Sequence, residues 1–380
     1  MDFEFSEEQR QLEDTVRRFV ERDYGFERRR AIKDSPAGWS REAWQALADL
    51  GVLALNVPEA HGGLGCGPLE TMLAMNAFGA GMLLEPYLES AVLATALLRE
   101  AADAAQQAAL LPALAAGEKI AVPAHDEPGA RGETARVESR AGRSGDGYIL
   151  QGRKAVVPHA GAADILIVSA RTSGAADDPE GISLFLVDKD APGLTLREYP
   201  TLDGRRAAEV RLDKVSLPGT ARLGAEGQAF AAIERAIDIG IAALCAEAVG
   251  AMKALLDATV EYLKTRRQFG QPIGRFQALQ HRTADMLVHY EQAKSMGTLA
   301  AMRCTSENRR ERRKAVSAAK VTIGQACRFI GQQAVQLHGG MGMSDELNVS
   351  HWFKRLAAIE LTFGDTDTHI GRFIEASRNH

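Results

Sequence analysis

The chain lacks the residue patterns that mark metal, disulfide or membrane chemistry. Four of its 380 residues are cysteine (Cys66, Cys245, Cys304 and Cys327), and no two form a CxxC pair. That scatter argues against a thiolate metal site or a disulfide framework and suits a reducing cytoplasm. A dominant charge is missing too. With 45 Lys and Arg against 50 Asp and Glu, the net charge is −5, so no global basic field invites nucleic acid. No stretch reaches the ~18 uninterrupted apolar residues that a membrane span needs. The first residues, "MDFEFSEEQR", are charged at once, without the apolar run of a secretory signal. The expected location is therefore the cytoplasm. What is abundant is core material: 46% of the residues are hydrophobic, and the length suits two or three packed units.

Periodicity divides the chain into α, β and α parts, at 1–118, 119–226 and 227–380. In the first part, "SEEQ" at Ser6 to Gln9 is a capping-box pattern, followed by Leu12, Val16, Phe19 and Val20 at helical spacing. "WSREAWQALADLG" reads as an amphipathic helix stopped by Gly51. The Ala/Leu-rich stretch from Glu85 to Glu118 reads as helix broken at Pro112 and Gly117. From about Ile120 the period changes. "GYILQGRKAVV", "ADILIVSAR", "GISLFLVDK", "GLTLREY" and "AEVRLDKVSL" are short β-type runs between Gly, Pro and Asp turns. Gly227 marks the return to helix, and a long helix is expected from Phe230 to about Lys264. The basic run Arg309 to Lys314 reads as a solvated helix end or turn. No internal repeat or low-complexity tract is present.

Two segments of the last part could carry chemistry. "YLKTRRQFGQPIGRFQALQHRTADM", Tyr262 to Met286, places arginines at a turn before a new helix near Phe276. A guanidinium there could grip two oxygens of a phosphate or pyrophosphate, or could simply be a surface arginine. "QAVQLHGGMGM", Gln333 to Met343, has a Gly-Gly pair after a helix. It could open backbone amides to an anion or merely end the helix. It does not follow a strand as GxGxxG, so it is no Rossmann fingerprint. His281 and His338 lie close by without a second ligand or a carboxylate at useful spacing. A polar contact or packing is the expected role for both.

Taken together and in this order, the segments make the whole chain resemble the acyl-CoA dehydrogenase family. The resemblance is carried by "TRRQFGQPIGRFQ", "QLHGGMGM" and "GVLALNVPEAHGGLG". Through "LCAEAVG", "QAKSM", "RFIGQQ" and "FGDTD" it is most similar to the small-subunit type exemplified by pimeloyl-CoA dehydrogenase. The resemblance implies an α+β chain with an N-terminal helical domain, a middle β-barrel-like domain and a C-terminal four-helix bundle. It implies FAD as cofactor, held at a subunit interface by Arg266, Gln268, Phe269 and Gln277 and by Gln336, Gly339 and Gly340. These residues serve the flavin seated in the neighbouring subunit of family dimers. It also implies an acyl-CoA substrate, a tetramer and an electron-transferring flavoprotein as acceptor. No metal is implied.

The reaction of the family is α,β-dehydrogenation of the thioester, and it needs a carboxylate within reach of the α proton. Members supply a glutamate in an E-G-T turn near the C-terminus or on the first long helix of the last domain. In "ELTFGDTDTHIGRF" the first position is Gly364, with Asp365 next and Thr366 in register as a flavin contact. The second position is Gly240, beside Ile241 where many members carry arginine. Asp238 lies about 200° around that helix and is a poorer candidate. Asp367 and His369 are expected to cap the last helix. In the middle part, "HDEPGARGE" and "KAVVPHAG" replace the usual T-E-P-x-A-G-S-D and K-x-W-I-T-N-G. Val156 and Pro158 stand for the Trp and Thr, and Pro158 offers neither hydroxyl nor amide N–H.

The residues serving a neighbour's flavin persist, whereas those for the chain's own flavin and base have changed. Three readings follow. The chain is a subunit that completes the FAD site of a catalytic partner in an α2β2 assembly. Alternatively, it is a homo-oligomeric enzyme with Asp365 as relocated base. As a third reading, it is a non-catalytic acyl-CoA-binding or scaffold protein of the same fold.

Overall fold

The capping box at the start of the chain is formed. Ser6 Oγ accepts from the Gln9 amide at 3.2 Å, and Gln9 Oε1 accepts from the Ser6 amide at 3.0 Å. The structure is a computed structural model that describes residues 5–130 and 132–378. In chain order its helices are α1 (Glu7–Asp23), α2 (Phe26–Asp34), α3 (Arg41–Asp49), α4 (Pro68–Gly81), α5 (Thr95–Ala101) and α6 (Ala104–Ala115). The later ones are α7 (Phe230–Thr265), α8 (Gln277–Arg303), α9 (Arg309–His338), α10 (Asn348–Leu361) and α11 (Thr366–Ser377). A π-helix covers Tyr87–Ala94. The described chain forms two compact units. One comprises Met1–Ala31, Pro68–Leu83 and Ile241–His380; the other comprises Ile32–Gly67 and Leu84–Gly240.

The first unit is helical. Val16, Phe19 and Val20 of α1 are buried, and α1 packs on α4. Where α4 meets α7, glycine is required by space. A Cβ on Gly79 would lie 1.9 Å from the Glu247 carbonyl oxygen, and one on Gly250 would lie 1.8 Å from that of Asn76. α9 is the hub, packed by α8, α10 and α11. Helix α7 is apolar and long enough to cross a membrane, yet 83% of its most apolar window is buried inside the protein. It is a core helix. The basic run opens α9 behind the Asn308 cap, and there the expectation of a solvated run fails at one residue. Arg312 is buried and donates to the Ser306 carbonyl at 2.9 Å, because the helical period turns it inward.

The second unit holds one eight-stranded sheet. Its strands are β1 (Ala121–Ala124), β2 (Arg140–Ser144), β3 (Gly147–Pro158), β4 (Ile165–Arg171), β5 (Ile182–Asp188), β6 (Leu194–Pro200), β7 (Arg206–Pro218) and β8 (Arg222–Leu223). The order is β6-β7-β3-β2-β4-β5-β8, with β1 parallel to β4. All five expected runs are strands. β1, β2 and β8 carry no strand signal in the sequence because they are short and, in "RAGRS", lack apolar alternation. β4 is buried along its whole length. Ile165 and Ile167 from it join Leu97, Leu111, Ile182 and Ile233 in the core of this unit. Helix α3 stops as expected, with Gly51 at φ 75°. The break expected at Pro112 does not occur there, since Pro112 lies inside α6. A new capping box, Asp103 with Gln106, starts α6 instead, and Pro112 sits in the second half of the helix, which gives up its bond to the carbonyl four residues back.

Candidate functional site

The helical unit brings the two anion-type motifs together. Tyr262, near the end of α7, stacks on His338 at the end of α9 with ring centroids 4.3 Å apart, and its hydroxyl donates to the His338 carbonyl at 3.4 Å. The Arg266 turn and the Gly339–Gly340 pair follow directly from these two residues. The turn after α7 is closed by a short antiparallel ladder, Arg267–Gln268 against Gln271–Pro272, with Phe269 at φ 54°. Phe269 is 89% exposed and meets Phe276 edge-on at 6.0 Å. Gln277 is the first residue of α8, and Arg282 on the same helix donates to Gln333 of α9 at 2.7 Å.

Arg266, Gln268, Gln277 and Gln336 are all exposed, and so are Gly339 and Gly340. A Cβ at Gly339 or Gly340 would meet nothing within 4 Å, so the backbone there is open to close approach. One guanidinium, three amide side chains and an open glycine backbone are the donor set that a pyrophosphate with its ribose and base would use. His338, by contrast, is packed. Its Nδ1 lies 2.9 Å from the Ala334 carbonyl, and burial pushes its pKa down. His281 is exposed on α8.

The turn between α10 and α11 lies in the same unit. Phe363 and Gly364 both have positive φ, 62° and 105°. The Phe363 carbonyl accepts from Arg372 at 3.0 Å and lies 3.2 Å from His369 Nε2. Lys320, buried on α9, donates to the carbonyls of Ile359, Glu360 and Gly364 at 3.0, 2.8 and 3.0 Å. The lysine ties the end of α10 and the turn to the hub helix, and burial pushes its pKa down. A second buried anchor is the bidentate pair of Arg355 on α10 with Glu247 on α7, at 2.7 Å for both bonds. Neither anchor was visible in the sequence: a lysine in "SAAKVT" and a glutamate in "LCAEAVG" carry no signature of burial.

Asp365 is the N-cap of α11. Its Oδ1 accepts from the Thr368 amide at 2.9 Å and the Thr368 hydroxyl at 2.6 Å, and these bonds hold its carboxyl below the usual range. A base for a weakly acidic carbon needs the opposite shift. The cap expected from Asp367 and His369 is thus made by Asp365. Asp367 is exposed in the first turn, and His369 is buried beneath the loop with its pKa pushed down to about 3 by burial. The Thr366 hydroxyl donates to Glu360 Oε1 at 3.1 Å, an oxygen that also takes a bond from Arg328 at 3.1 Å. Gly240 lies within α7.

In the β unit, the segments that depart from the family pattern are joined by a buried ion pair. Lys154 Nζ lies 2.6 Å from Glu127 Oε1 and donates to Ser169 Oγ at 3.0 Å. Val156 and His159, just beyond, both have positive φ, 50° and 55°.

Residues 6–118, 124–215 and 227–377 match, in turn, the N-terminal, middle and C-terminal domains of acyl-CoA dehydrogenases. The chain is 29% identical to the probable acyl-CoA dehydrogenase YngJ of Bacillus subtilis, over 99% of each chain. It is 32% identical to the L-prolyl-[peptidyl-carrier protein] dehydrogenase of Pseudomonas fluorescens, over 85% of this chain and 87% of that one. It is 28% identical to subunit CarC of the caffeyl-CoA reductase-Etf complex of Acetobacterium woodii, over 92% and 93%. Among solved structures, it superposes on the Tcur3481-Tcur3483 steroid ACAD with a TM-score of 0.87 at 30% identity, covering 97% of each chain. For the ChsE4-ChsE5 complex of Mycobacterium tuberculosis the TM-score is 0.89 at 25% identity, covering 100% of each.

Fold and domain matches define a flavin-dependent oxidoreductase of α+β architecture: N-terminal helices, a middle β-sheet domain and a C-terminal helical bundle. The chain belongs to the acyl-CoA dehydrogenase family, and its cofactor is FAD.

Proposed function

We propose that this chain is the subunit of a heteromeric acyl-CoA dehydrogenase, of the small-subunit type, that completes the FAD site of a catalytic partner. FAD supplies the hydride acceptor for α,β-dehydrogenation of an acyl-CoA thioester. In this reading Arg266 holds the pyrophosphate. Gln268, Gln277 and Gln336 bond the adenosine side, Phe269 covers it, and Gly339 and Gly340 let the flavin's phosphates approach. Thr366 donates its hydroxyl hydrogen to Glu360 Oε1 and keeps its oxygen lone pairs for the cofactor.

The observation that carries the reading is the state of Asp365. Its carboxylate caps α11, and the residue before it, Gly364, bears no side chain. The turn is pinned by Lys320 and Arg372, so a backbone shift that would free Asp365 must break several bonds at once. Relatives named as complexes or complex subunits support the reading. Assignment of the chain to three domains at 1–118, 119–226 and 227–380, a tetramer, a cytoplasmic location and an electron-transferring flavoprotein as acceptor belong to the same proposal.

Co-expression with a family member encoded alongside, followed by FAD quantitation, is the test. Expected is colourless or substoichiometric protein alone and bound FAD in the complex. One FAD per chain in a pure homo-oligomer would overturn the proposal. That result, combined with loss of activity in Asp365→Asn, would favour the homo-oligomeric enzyme. Flavin-free protein that binds CoA thioesters and captures no partner would favour the scaffold.

A further inference from the structure

Strands β3, β6 and β7 enclose an open hollow of about 550 Å³ on one face of the sheet. Its wall carries Arg153 of β3, Thr195 and Arg197 of β6, and Glu209, Arg211 and Asp213 of β7. Register places Arg153 directly opposite Arg211, with Thr195 opposite Arg211 on its other side. Directly opposed side chains stand about 5 Å apart, and like charges so placed repel. All three arginines are exposed. Among the described residues, no hydrogen bond or ion pair engages the guanidinium of Arg153 or Arg197. The two carboxylates leave this charge largely unmet. Asp213 Oδ2 lies 3.7 Å from Arg211 Nη2, beyond hydrogen-bond reach, and Glu209 accepts from the Tyr199 hydroxyl at 3.2 Å.

The opposed arginines are framed by two β-bulges. Pairing of β3 with β7 shifts between Leu150 and Gly152 and again between Lys154 and Val157. Lys214 at the first and Val156 at the second have positive φ, 55° and 50°. Bulges bend a strand and raise its twist, so this part of the sheet curls instead of lying flat. Non-glycine residues in the left-handed region store strain, and such strain concentrates where ligands bind.

A phosphate answers the repulsion, since its oxygens accept from two guanidiniums at once. The hollow has more room than one phosphate fills and falls within the roughly 300–1,000 Å³ typical of small-molecule sites. We propose that this hollow binds a nucleoside diphosphate. Arg153 and Arg211 grip one phosphate together with the Thr195 hydroxyl. Arg197, two residues along β6, meets the other, and Asp213 accepts from the ribose hydroxyls. The site belongs to the β unit and depends on neither the acyl-thioester reading nor the Arg266 motif of the helical unit.

The test is calorimetric titration of the purified full chain with ADP, AMP, adenosine and inorganic phosphate. ADP should bind most tightly, AMP and phosphate more weakly, and adenosine not at all. Added salt should weaken ADP binding. Arg153→Gln and Arg211→Gln should each lower ADP affinity on the order of 10-fold. Arg153→Lys, which keeps the charge without the fork, should fall between. Without nucleotide, both Gln variants should keep or raise the urea midpoint, because each removes one of two opposed like charges. Arg266→Ala should leave ADP affinity unchanged. The proposal would be overturned by no binding of ADP, by adenosine or phosphate binding as tightly as ADP, or by a loss in Arg266→Ala that Arg153→Gln does not share. The acyl-CoA reading would stand in each case.

Discussion

Gly364 is the position where a glutamate could be restored on paper, and the structure says that the restoration fails. Its φ of 105° lies where side-chain-bearing residues pay about 1–3 kcal/mol. An added Cβ would lie 2.9 Å from Thr368 Cγ2 and 3.2 Å from Thr368 Cβ. Thr368 cannot swing aside freely, because its hydroxyl donates to Asp365 at 2.6 Å. Giving up a bond to a charged acceptor costs about 1.5–3 kcal/mol. Gly364→Ala should therefore lower stability by about 2.5–6 kcal/mol, and Gly364→Glu by at least as much. Urea unfolding followed by circular dichroism measures this as a lower midpoint at unchanged slope. The double variant Gly364→Ala/Thr368→Ser, which removes the clashing methyl and keeps the hydroxyl, should recover part of the loss. Gly364→Glu should create no dehydrogenase activity in the lone chain. A loss below about 1 kcal/mol in both single variants, or no recovery in the double, would refute the reasoning.

Acid sensitivity should trace to His369. Its folded pKa of about 3 lies below the ordinary 6.5, so the unfolded chain takes up the proton first as pH falls. Stability is complete above pH ~6.5 and declines toward pH ~3 by about 4–5 kcal/mol, and His369→Gln should flatten that slope in a pH series of urea unfolding. Asp365→Asn should cost at most about 1 kcal/mol, because asparagine still caps, whereas Asp365→Ala, which loses both Thr368 bonds, should cost about 2–3 kcal/mol in the same assay. Arg266→Ala should leave the fold of the exposed turn unchanged and weaken FAD retention by the complex on the order of 10- to 100-fold, measured by flavin release on dilution. Arg266→Lys should repair it only in part, since an ammonium cannot grip two oxygens at once.

By itself the sequence determined the α–β–α order and several of the element ends. Periods of 3.6 and 2 separated helices from strands, and local capping chemistry marked the ends at Ser6, Gly51 and Gly339. The turn after the long helix that carries Arg266 was also legible, because Gly and Pro punctuate a chain locally. Tertiary structure decided what long-range packing controls. It spent Asp365 on a helix cap, buried Lys320 under three carbonyls and set Glu247 against Arg355. It also left the Glu89 carboxylate beside His159, 70 positions away in sequence. A carboxylate's chemistry depends on whether donors, water or nothing surrounds it, and only the folded chain brings those neighbours together.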